Sequence, residues 1–279
     1  MSSTDPRVTA TLLEAILRRD RAVLLTALGA LTVLAWIYVV WLAVDMSAPG
    51  MDMRDMRMVP AGIGWMEPAS RPWGVLEALL VFAMWAVMMV GMMTPSAAPM
   101  ILIYARVRRQ AGQRDTPFAA AALVLAGYLL LWTAFSLAAT GAQWALQRAA
   151  LLSPGMSVAG QRIGAALLIL AGLYQWSPIK YRCLAQCRSP LAFIQRRGGF
   201  RGNASGALQL GLAHGAYCVG CCWTLMGLLF VGGIMNIAWI GALAALALLE
   251  RAAPRGILIA RVAGVVLVAA GLYLLVGTR

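Results

Sequence analysis

Acidic residues are scarce in this chain: ten Asp and Glu stand against 23 Lys and Arg, and charges of both signs make up only 12% of its 279 residues. With 62% of residues hydrophobic and a mean hydropathy of +0.79, so little charge excludes a single soluble globule. The net charge of +13 does not indicate nucleic acid, because the basic residues fall in short clusters between apolar runs, where they set topology and meet anionic headgroups. Cysteine is limited to five, an odd number, and four of the five lie in or beside apolar runs, which excludes a secreted-type disulfide framework. There is no G-x-x-x-x-G-K-[ST] phosphate loop, so active pumping would require a partner or an ion gradient. No internal repeat, low-complexity tail or soluble domain is present either.

What remains is a series of apolar stretches near the roughly 20 residues that a membrane helix needs. They fall at 22–44, 74–104, 118–144, 163–179, 206–230, 234–250 and 257–277. The first is too long for the core of a removable signal peptide and reads as a retained span. The expected fold class is therefore all-α, a polytopic transmembrane bundle of about seven spans, with a cytoplasmic segment 1–21 and one membrane domain, 22–279. Arginine content orients it. Residues 105–117 carry Arg106, Arg108, Arg109 and Arg114, and residues 180–201 carry Lys180, Arg182, Arg188, Arg196, Arg197 and Arg201. Both belong inside, as does "ERAAPRG", while the acid-bearing loop 45–72 and the 145–162 linker belong outside. The N-terminus is then inside and the C-terminus outside, in a multi-pass protein of a bacterial inner (cytoplasmic) membrane. Glu77 and Glu250 fall near span ends, within reach of headgroups, and take no role.

The segment "HGAYCVGCCWTLM" holds the only histidine and three of the cysteines. On a helix, His214, Cys218, Cys221 and Cys222 share one face about 100° wide that rises about 12 Å. That is too long for one ion to touch both ends, but each i, i+4 pair can share a ligand, so a ladder of sites fits better than one cage. Gly211 and Gly215 lie near the same side and invite a second helix. Cysteine can also serve as a small apolar side chain, yet ionisable groups at membrane depth are costly and usually functional, and the clustering favours function.

In "MWAVMMVGMMTPSAAPM" Met84, Met88 and Met92 recur every four residues, with Met89 and Met93 beside them, before Pro95 and Pro99 disturb the helix. Thioethers are soft ligands, although taken alone this run reads as packing. The outer loop contributes "MSAPGMDMRDMRM", where Met51, Met53, Met56 and Met58 could wrap Cu(I) or simply be solvated. "CLAQC" sets Cys183 and Cys187 four apart, as chelators or as plain structural thiols.

Three segments, "MWAVMMVGMMTPSAAPM", "YQWSPIKYRCLAQCRSPL" and "HGAYCVGCCWTLM", taken in that order, resemble a bacterial family of predicted metal-binding integral membrane proteins, a domain of unknown function. The resemblance covers about residues 75–260. It implies metal binding at His214, Cys218, Cys221, Cys222, Cys183, Cys187 and the methionines of the second span, and leaves the outer loop unmatched. The ligand set is soft, so the expected activity is the handling of Cu(I), by binding, relay or transport, with zinc as the alternative ion. A membrane thiol-redox or redox-cofactor subunit, or an assembly factor for another membrane metalloprotein, competes with it; enzymatic activity is not expected. Expected partners are the lipid bilayer and a membrane or periplasmic metalloprotein.

Overall fold

The computed structural model describes residues 6–46, 73–110, 117–152, 157, 160–197, 199 and 203–277. Ten helices account for the regular structure of these residues: α1 (Pro6–Met46), α2 (Val75–Gln110), α3 (Pro117–Arg148), α4 (Gln161–Tyr174), α5 (Pro178–Arg188), α6 (Pro190–Arg196), α7 (Ala204–Gly227), α8 (Leu229–Gly232), α9 (Ile237–Ala252) and α10 (Gly256–Val276). Five are long and apolar enough to cross a membrane: Ile16–Asp45 of α1, Val75–Gln110, Phe118–Arg148, Ala204–Gly232 and Gly256–Val276. Five of the seven expected spans coincide with these, while the stretches at 163–179 and 234–250 form helices of only 14 and 16 residues. At 1.5 Å per residue these are about 21 and 24 Å long, short of a hydrocarbon core about 30 Å thick.

The fourth stretch is cut by its own sequence. Pro178 disfavours helical backbone at the residue before it, and Ser177, extended at ψ 137°, accepts a hydrogen bond from Ile179 N and caps the next helix instead. Asn203 and Asn236 cap α7 and α9 in the same way. By contrast, α2 runs unbroken through Pro95 and Pro99, where a disturbance was expected. Helix α1 starts well before residue 22, so the arginine-bearing segment is helical from Pro6 onward.

Side-chain contacts give the order of levels in the bundle. Asp20 is paired with Arg109 at 2.7 Å, joining the start of the first apolar run to the end of α2. Tyr128 of α3 donates to Met93 O of α2, and Trp85 of α2 donates to Gln143 of α3, so these two helices are antiparallel. Helices α3 and α7 run parallel and in close contact: a side chain at Gly211 would strike the carbonyl of Val124, and one at Gly127 that of Leu208. This is the helix that the small residues Gly211 and Gly215 admit.

Tyr104, Arg197, Gly206 and Leu210 line one small cavity, so α7 starts at the end of the bundle where α2 stops. The chain must therefore travel back between the end of α3 and the start of α7, and it does so in pieces, as α4, α5 and α6. Helices α9 and α10 form a hairpin that packs beside them. Its turn is held by Arg188, which donates to Glu250 O at 2.8 Å and to Pro254 O at 2.9 Å.

Candidate metal site

The stripe of α7 is buried throughout: His214, Cys218, Cys221 and Cys222 are each 2% exposed or less. Close approach of α3 brings Tyr128 against it. The Tyr128 hydroxyl lies 2.9 Å from Cys218 Sγ while donating to Met93 O at 3.0 Å. The His214 ring lies between Tyr128 and Phe193, both centroids 5.6 Å away, and its buried Nδ1 has no hydrogen-bond partner. The Cys221 and Cys222 thiols both turn back on their own helix and donate to Cys218 O, at 3.1 and 2.9 Å. Buried Ser-like donors that have no outside acceptor satisfy themselves in this way.

The residue that the sequence does not announce is Arg251, the last charge of α9. It belongs to "ERAAPRG", expected as an inner linker, yet it is only 8% exposed. Its Nη2 lies 2.9 Å from Cys222 Sγ, 3.4 Å from Cys221 Sγ and 3.5 Å from Cys218 O, and its Nη1 lies 3.6 Å from Met93 Sδ. A guanidinium therefore sits among two thiols, a thioether and a carbonyl, with no carboxylate among these contacts. Glu250, expected near headgroups, is instead 1% exposed and bonded to Lys180 Nζ at 2.6 Å, with its Oε1 unpartnered. Lys180, which the charge pattern placed in an inner linker, is 0% exposed for the same reason.

The second span meets the cluster through Met93, one residue on from the periodic set. Met84, Met88 and Met92 are buried in the same helix at 2, 1 and 3% exposure. From α5, Cys187 hydrogen-bonds Cys221, and Cys183 Sγ lies against the backbone of Gly220, 2.9 Å from where a side chain there would begin. All five cysteines are free thiols. Among the described residues no three His, Cys, Asp or Glu side chains converge as a metal cage. Met51, Met53, Met56 and Met58 lie outside the described residues.

Chemically, the cluster offers a monovalent cation two thiolate-capable sulfurs and one thioether in apolar surroundings, donors that suit a soft ion. Residues 82–274 match PpoB2, described as a copper chaperone. The chain belongs to the PpoB2 copper-chaperone family. No curated protein and no solved structure matches it. The PpoB2 match takes in α3 to α9, nearly all of α2 and all but the end of α10, so every residue of the cluster falls within it.

Proposed function

We propose that this PpoB2-family chain is a membrane-embedded Cu(I) carrier that holds the ion at Cys221, Cys222 and Met93, with His214 and Cys218 as the next position along α7. The observation that carries the reading is the convergence of three sulfurs on one buried cation, Arg251. A place that already solvates a +1 charge with soft donors suits Cu(I), which accepts few ligands and prefers sulfur. Cys187 and Cys183 stand behind this position as further thiols. Met84, Met88 and Met92 line the buried second span, and Met51, Met53, Met56 and Met58 collect the ion on the outer side. The helices lie in a bacterial inner membrane, N-terminus inside and C-terminus outside, with the pieces α4–α6 and the short α9 completing seven passes. The family description, a copper chaperone, supports a role in handing copper on, and the receiver in this reading is a membrane or periplasmic metalloprotein.

The test is copper content. Protein purified under reducing conditions is expected to retain Cu(I), and Cys221→Ser combined with Cys222→Ser to lose most of it. Equal copper in the parent and the double variant would make the cysteines packing residues and end the proposal.

A further inference from the structure

Several buried groups stand outside the proposed ligand set, and Arg251 is the one whose chemistry bears on the ion. Every described partner of its guanidinium is a soft or neutral group: Cys221 Sγ, Cys222 Sγ, Met93 Sδ and Cys218 O. The nearest carboxylate along the chain, Glu250, is already bonded to Lys180, so that pair cancels its own charge. Tyr128 from α3 and Cys187 from α5 also face the cluster, with a hydroxyl and a thiol and not with a carboxylate. Arg251 therefore brings to the sulfurs a positive charge that no carboxylate among its described contacts meets.

We infer that Arg251 sets the valence of the ion that the site accepts, selecting monovalent over divalent soft metals; this rests on the metal-binding reading given above. A monovalent ion held by two thiolates leaves a net charge of −1, which the guanidinium brings to zero. A divalent ion with the same thiolates is neutral by itself, and the guanidinium then leaves the site at +1. In apolar surroundings a single uncompensated charge is heavily penalised; with its thiols protonated the free site already carries +1, which a monovalent ion removes and a divalent ion leaves in place, so charge balance decides between ions that both bind sulfur well. Met93 strengthens the bias, since a thioether adds a ligand without adding charge. Arg251 acts here as a positioning and charge-balancing residue, not as a ligand.

The experiment compares Cu(I), Ag(I) and Cd(II) affinities in the detergent-purified full chain by competition with a chromophoric chelator. The variants are Arg251→Gln, Arg251→Met and Arg251→Lys. The neutral variants are expected to bind Cu(I) and Ag(I) at least about tenfold more weakly than the parent while Cd(II) binding stays near it. Arg251→Lys keeps the charge and should stay near the parent for all three ions. A merely structural arginine would shift monovalent and divalent ions in the same direction, and that result, or no shift in any of them, overturns the inference. Should Arg251→Gln not fold, Arg251→Met carries the same loss confined to the monovalent ions, and Arg251→Lys with a neutral-variant pattern would also overturn it. A parent that binds neither Cu(I) nor Ag(I) refutes the metal-binding reading itself, a distinct outcome.

Discussion

Tyr128 is the side chain on which the middle of the cluster leans. Its hydroxyl contacts both Cys218 Sγ and Met93 O, and its ring faces His214. Removing only the hydroxyl leaves a buried thiol and a carbonyl short of a partner, which costs about 1–3 kcal/mol. Tyr128→Phe is therefore expected to lower the unfolding temperature in detergent, and Tyr128→Ala to lower it further, because a ring-sized cavity costs about 3–5 kcal/mol. An unchanged melting profile for both would show that the contact carries no stability. At this scale the α7 stripe was legible as one buried face, since a histidine and three cysteines on one side of a helix announce themselves by spacing alone. Arg251 was not: in a linear reading, a basic residue between an apolar run and a proline counts as a topology signal, and only packing shows that it turns inward. Met93 was named only beside the periodic set, for a related reason. A period of four through Met84, Met88 and Met92 picks one row of a helix whose sulfurs run all round, and the row that meets the cluster is fixed by where α3 and α9 stand.

Helix α7 depends on close approach by α3, and glycine makes that possible. At Gly211 a methyl group would meet the backbone of Val124, which cannot swing aside, so Gly211→Ala is expected to destabilise by about 1–3 kcal/mol. The sign runs against helix propensity, which favours Ala over Gly by about 1 kcal/mol. Gly29 in α1 has nothing within 4 Å of the position of an added side chain, so Gly29→Ala is the control and should be neutral or stabilising. Thermal unfolding of the two variants side by side settles the point; equal effects would remove the steric account. The small face of α7 was readable from Gly211 and Gly215, but the partner was not, because spacing says that a helix comes close without saying which. The break at Ser177–Pro178 was written in the sequence too, yet hydropathy carried the apolar stretch straight across it.

Taken whole, the bundle has α7 rising from the end where α2 stops, so Arg197, Gly199 and Gly206 share one side with Tyr104 near the end of α2. Simple alternation of the five long helices would put them on opposite sides. A reporter placed after residue 110 and one inserted between residues 198 and 202 are thus both expected to be cytoplasmic, and one at the C-terminus extracytoplasmic. Labelling of the 198–202 insertion from outside would break this arrangement. The arginine pattern had pointed the same way, but the means of return could not be read from it, since three short helices do the work expected of one span.

That piecewise return has a consequence for how the protein is made. Helix α4 has 14 residues, too few to be accepted as an independent segment by a machinery that inserts one hydrophobic stretch at a time, and it packs along α10, with Gln161 bonded to Leu274 O and Trp176 to Arg261 O. It gains that cover only once the chain past residue 256 has emerged. Arg188 and the α9–α10 turn that it holds are likewise joined across about 60 residues of sequence. The sulfur cluster consequently closes late, after synthesis has passed Arg251, so a nascent chain exposes its cysteines singly until its last helices have docked.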